Sequence, residues 1–133
     1  MAADLMEVDV PSSNKVGART GISATPRHRL IVLPWLKPIA QRLIMPNWLA
    51  ITIGRLILAW RPLEEPELAH ELVHVRQWGE NGFVHYIVRY MRESSKAAAA
   101  GGDRYRDNKF EAEAYAEEER VRARSGRQGT AAQ

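Results

Sequence analysis

Cysteine is absent from this 133-residue chain. That excludes disulfides, thiolate metal sites and cysteine nucleophiles, so any bound metal must rest on His, Asp or Glu. The lack of disulfides also leans towards a cytoplasmic setting. Long apolar runs are lacking too. The greasiest stretch, Leu30 to Trp60, is broken by Lys37, Arg42 and Arg55 and by Pro34, Pro38 and Pro46, whereas a spanning helix needs about 20 apolar residues. No membrane-spanning segment is expected, and residues 30–60 could at most lie against a membrane surface. No basic residue precedes an apolar run near the N-terminus, so no signal peptide is expected. Neither sign of charge dominates. The 19 basic and 16 acidic residues give a net charge of +3, without a long basic block, so nucleic acid is not an expected partner.

What is present suits one small α+β domain. The hydrophobic fraction is 45%, enough for a compact core with little to spare. Residues 1–27 and 125–133 lack periodicity and read as disordered tails around a domain at 28–124. Leu36, Ile39, Ala40, Leu43 and Ile44 recur at helical spacing within 34–45, and Pro46-Asn47 ends that segment. Residues 50–53 and 56–60 read as short strands joined at Gly54-Arg55, a two-residue turn. Pro66, with Glu64, Glu65 and Glu67 beside it, starts a helix running to about Trp78, in which Leu68, Leu72 and Val75 form the buried stripe. A helix over 83–99 follows, its apolar side formed by Phe83, Val84, Ile87, Val88, Tyr90 and Met91, and Gly101-Gly102 stops it. Asn108 caps a last helix to about Arg124. The acidic residues 117–119 read as a solvated face, and Trp35, Trp48, Trp60 and Trp78 as core or rim.

The chemically informative string is His70-Glu71-Leu72-Val73-His74. Positions i and i+4 of a helix lie one turn apart on one face, so two imidazoles can converge on one metal ion. Glu71 points about 100° away round the helix. It is poorly placed as a ligand but can reach a water beside the metal, as a general base must. With only four histidines in the chain, random placement would produce this pattern in on the order of one chain in a hundred. Two surface histidines on an ordinary amphipathic helix is the competing interpretation.

A catalytic metal site needs a third protein ligand and an open position. Glu80 follows His74 by six residues, His85 by eleven. Glu111 and Glu113 lie on a separate helix among small alanines. They point about 200° apart, so only one can face the metal. Asn108-x-x-Glu111 also fits a capping box, which would employ Glu111 otherwise.

The string His70-Glu71-Leu72-Val73-His74, followed by Asn108-x-x-Glu111-Ala112-Glu113-Ala114-Tyr115, resembles the minigluzincins and related minimal HExxH domains. The resemblance covers roughly residues 49–120. It implies a zincin-like fold with a small antiparallel sheet or hairpin on three to four helices. It also implies a zinc ion held by His70, His74 and Glu111, with Glu113 the other frame of the E-x-x-A pattern. An aspartate that supports a ligand histidine in many gluzincins is replaced here by Tyr115. The expected activity is hydrolysis of a peptide or protein substrate, with Glu71 as general base and an edge strand, 50–53 or 56–60, aligning the substrate. Tyr105, Tyr115, Arg104 and His85 are possible donors to the developing oxyanion; Tyr105 stands out because a short loop separates it from the glutamate helix. A non-catalytic zinc module of the same fold is the alternative, followed by a metal-free helical interaction protein.

Overall fold

A computed structural model describes residues 25–43 and 49–130. The element order is β1 (Arg29–Val32), α1 (Leu36–Leu43), β2 (Ala50–Ile53), β3 (Leu56–Ala59), α2 (Glu65–Asn81), α3 (Phe83–Ala99) and α4 (Lys109–Thr130). The architecture is α+β, as expected: a small sheet packed on helices. The N-terminal segment 1–24, Pro46-Asn47 and Trp48 lie outside the described residues.

The hairpin forms where Gly54 allows it. Gly54 has φ +62°, a conformation that suits a tight two-residue turn and that larger residues resist. Strands β2 and β3 then pair antiparallel, with Thr52 opposite Ile57. Strand β1 adds to the far side of β3 in parallel, with Ile31 opposite Leu58. The sheet is therefore mixed, in the order β1-β3-β2, and β3 is internal. Only four residues long, Arg-Leu-Ile-Val offers no period that distinguishes it from a loop, and its partner lies well downstream.

Alternation decides which face of the hairpin is covered. Ala50, Thr52, Ile57 and Ala59 are buried. Ala50, Ile57 and Ala59 form the core with Val75 of α2, and Leu30, Leu63, Leu68 and Leu72 pack around it. Ile57 is wholly buried and contributes roughly 1.5–3 kcal/mol by leaving water. The alanines leave room for α2 to lie close to the sheet.

Helix α2 begins with Glu64 outside its first turn, where the Glu67 side chain accepts the Glu64 backbone N–H at 2.8 Å. It continues through Gly79 to Asn81, three residues beyond the expected end at Trp78. Gly82, at φ +72°, donates its N–H to Trp78 and turns the chain into α3. Helix α4 extends past the expected end near Arg124 to Thr130, so residues 125–130 are helical rather than a disordered tail. Helix α1 begins at Leu36, two residues later than expected, because Pro34 and Trp35 occupy the turn before it.

Helix α3 has the expected bounds but a different orientation. It buries Tyr86, Ser94 and Ala97, and leaves Phe83, Val84, Ile87, Val88 and Met91 exposed. Asn108, completely buried, explains part of this. Its side-chain amide donates to Tyr90 O at 3.1 Å and Ser94 Oγ at 2.8 Å, while its carbonyl accepts the Phe110 N–H at 2.9 Å. Asn108 thus caps α4 and ties it to the polar face of α3. No helix among the described residues is long and apolar enough to cross a membrane.

Candidate metal centre

Helix α2 places His70 and His74 one turn apart, and both are buried. Their Nε2 atoms are 3.3 Å apart. Helix α4 brings Glu111 against them from a distant part of the sequence. Its Oε2 lies 3.5 Å from each Nε2. Ala114, one turn further along α4, is fully buried, and its small side chain permits the close approach of α4 to α2.

The hydrogen bonds around this triangle define what its corners are. Glu118 Oε2 lies 3.2 Å from His70 Nδ1. A carboxylate only accepts, so Nδ1 carries the proton and Nε2 of the neutral ring presents a lone pair. Gln77 acts likewise on His74. Its Nε2 donates to Phe110 O at 3.1 Å and to Glu113 Oε2 at 2.7 Å. That orients its Oε1 towards His74 Nδ1 at 2.9 Å, leaving the His74 Nε2 lone pair inward. On the third corner, Tyr90 donates to Glu111 Oε1 at 2.7 Å. Glu111 Oε2 is buried without any hydrogen-bond partner.

Three electron-rich atoms therefore meet in a nearly dry place. Their separations fit a cation. Two atoms bound at about 2.0–2.1 Å in a tetrahedral arrangement are about 3.3–3.4 Å apart. The observed edges of 3.3, 3.5 and 3.5 Å are close to that. The unpartnered Glu111 oxygen, costly when buried, gains a partner only if a cation or proton occupies the centre. His70, His74 and Glu111 can hold a metal ion, with three protein ligands and a fourth position left for exchange.

Without a cation, the cluster favours a proton. Burial opposes charge on His74, but Glu111 outweighs it and holds the imidazole above its ordinary value of 6.5. Burial also opposes charge on Glu111, but His70 and His74, with Tyr90, hold it well below its ordinary value of 4.5. The His74 contribution to stability is present below 6.5 and lost as pH rises through the raised value. The Glu111 contribution is present above 4.5 and lost as pH falls through the depressed value. The metal-free protein thus has both between 4.5 and 6.5. Metal competes with that proton. The rise in melting temperature on adding metal should grow between about pH 6 and about pH 8, read by scanning fluorimetry; a rise that shrinks over that range would contradict this assignment.

Glu71 stands apart from the triangle. It is buried, and Thr52 of β2 donates its hydroxyl to Glu71 Oε2 at 2.6 Å. With His70, Ala50, Tyr105, Tyr115 and Glu118 it lines a cleft of about 590 Å³. Tyr105 is partly buried there. Burial, then the negative charge of Glu111, raises its hydroxyl far above the ordinary range, so it remains a donor. Tyr115 packs edge-to-face on His70, with ring centroids 4.7 Å apart.

The other candidates are elsewhere. Glu80 is exposed beside Arg76, and His85 is exposed on α3. Glu113 pairs with Arg76 at 2.6 Å and supports Gln77. It is two contacts removed from the triangle. Glu111 does not close the capping box, because its carboxylate faces Tyr90 and the histidines.

Supporting residues were hidden in the sequence, among them Tyr90 on the helix side read as apolar. Glu118 had read as part of a solvated face, yet it is seven residues after Glu111 and so lies on the same side of α4 two turns on. It supplies the carboxylate that Tyr115 cannot. Thr52 gave no signal except strand alternation. Partners of ligand histidines, as Glu118 is of His70, typically account for about 10–100-fold in metal affinity. Glu118→Ala should weaken binding by about that factor in a chelator-competition titration; an unchanged affinity would show that the Glu118 contact is incidental.

No protein-family profile, no curated protein and no solved structure matches this chain.

Proposed function

We propose that the chain is a zinc-dependent peptidase of the gluzincin type, with Glu71 as general base. The observation that carries this reading is the convergence of His70 Nε2, His74 Nε2 and Glu111 Oε2 beside a cleft into which Glu71 also opens. Two imidazoles and one carboxylate form a donor set used by catalytic zinc. A structural zinc site would close all four positions with protein ligands, whereas three converge here among the described residues.

When bound, zinc supplies Lewis-acid polarisation of a carbonyl and lowers the pKa of water towards about 7. The chain's own groups do the rest. Glu71 accepts the proton of the attacking water and passes it to the leaving amine. The Thr52 hydroxyl holds one carboxylate oxygen, which keeps the Glu71 side chain in a single orientation. Tyr105, protonated at the cleft wall, would donate to negative charge developing on the substrate oxygen. Glu118 and Gln77 hold the imidazoles in the tautomer that a metal requires.

Substrate alignment falls to β2. Of the two strands in the hairpin, β3 is internal and β2 is the sheet's outer strand. Ala50 on β2 and the adjoining Leu49 line the cleft. An extended peptide can pair with that edge through backbone hydrogen bonds, which bind peptides with little dependence on sequence.

The test combines metal content and turnover. After dialysis, elemental analysis should find stoichiometric zinc. A mixture of quenched fluorescent peptides should be cleaved, with activity lost to a chelator and restored by zinc. Loaded protein that cleaves none of the peptides would reject the peptidase assignment.

A further inference from the structure

We propose that the outer face of α3 docks on an anionic lipid surface. Five apolar side chains, Phe83, Val84, Ile87, Val88 and Met91, stay exposed along two turns of this helix, with Val84 at 67% and Val88 at 60%. At 100° per residue they occupy one arc, next to the arc that buries Tyr86 and Ala97. The following arc carries His85, Arg92 and Lys96. The only acidic residue of α3, Glu93, sits towards the buried side and pairs with Lys96 at 2.7 Å. An apolar strip with a basic border is the pattern of a helix lying in the plane of a membrane interface.

Charge separates this occupant from a second copy of the chain. A two-fold contact sets the same patch against itself. Here that brings basic borders together, and the one acid of α3, Glu93, is already paired with Lys96 of its own helix. A surface rich in anionic headgroups answers them directly. Helix α1 repeats the composition. Trp35, in the turn just before it, and Ile39 are exposed, Lys37 and Arg42 are its basic residues, and α1 contains no acid. The described acidic side chains are instead concentrated at the cleft and along α4. None of the residues lining the cleft belongs to α3, so docking by this face leaves the candidate metal centre open. The inference stands whether or not the chain hydrolyses peptides.

Vesicle co-sedimentation of the full chain tests it, using phosphatidylcholine alone and phosphatidylcholine mixed with phosphatidylglycerol. Binding to the mixed vesicles should exceed binding to the neutral ones by about tenfold or more and should fall with added salt. Val84→Glu with Val88→Glu, at positions already facing solvent, should reduce it by at least about tenfold. Arg92→Glu with Lys96→Glu should do the same, and provides an independent test if the first pair alters folding. Melting curves and metal content should match the parent in both. The proposal is overturned if mixed vesicles bind no better than neutral ones or if both variant pairs bind like the parent. Light scattering that shows a dimer split by the valine substitutions, with no vesicle binding, would assign the face to a second copy.

Discussion

Glu71→Gln should retain its metal and lose peptide turnover by about 10²–10⁴-fold. The geometry separates the two roles. Glu71 is not among the three groups that converge on the metal position. Its neighbour on the other side is Thr52, whose hydroxyl donates to Oε2 at 2.6 Å. A glutamine is isosteric and can still accept that hydrogen bond through its carbonyl oxygen. What it cannot do is take a proton from water. The substitution therefore removes one chemical capacity while changing little of the packing. Zinc affinity should stay within about threefold of the parent, well inside the change expected when a supporting partner of a ligand is lost. A non-catalytic zinc module would be indifferent to the substitution. If the metal-loaded variant cleaves peptides as the parent does, Glu71 is not the base.

Glu111→Ala should abolish the rise in melting temperature produced by zinc. Ligands from α2 and α4 meet only in the folded chain, so metal binding becomes folding free energy. At a free zinc concentration of about 1,000 times the dissociation constant, the gain is about 4 kcal/mol. For a chain of this size, with roughly 3 °C per kcal/mol, that is a shift of roughly 12 °C. The alanine variant keeps both imidazoles but loses the corner that joins the two helices. Zinc held by the histidine pair alone would no longer tie α4 to α2. The metal-free variant should also melt lower than the parent, because the Tyr90 hydroxyl loses its partner and the buried site loses volume. Calorimetry with and without zinc checks both effects. An undiminished zinc-induced shift would place the third ligand elsewhere.

The parts of this site that are local in sequence were legible, and the parts that depend on packing were not. The i, i+4 spacing of His70 and His74 fixes their common face as soon as the segment is helical. Gly54 marks the hairpin because its positive φ is a local requirement. Choosing Glu111 over Glu113 is different. The two point to opposite sides of α4, and only the packing of α4 on α2 decides which side meets the histidines. The same packing recruits Glu118, 48 residues from His70, and converts a sequence of apparently solvated acids into a support for the ring. Strand β1 escaped for a related reason, since parallel pairing with β3 joins segments with no turn between them. Periodicity identified α3 correctly but misjudged its core side. It reports which residues share a face, not whether another element covers that face, and the buried side is instead built from aromatic hydroxyls, Ser94 and the Asn108 amide.

The loop before α4 leaves an imprint that could guide searches for related chains. At Gly102 even a methyl group would collide with the Asp107 carboxylate, which itself accepts the Asp103 N–H at 2.7 Å. A bare backbone at 102 and an acceptor at 107 are therefore tied to each other, and the Asn108 amide that follows caps the helix of Glu111. Drift at 102 should travel with compensating change at 107. A search pattern that joins these positions to the histidine string would discriminate far better than that string alone.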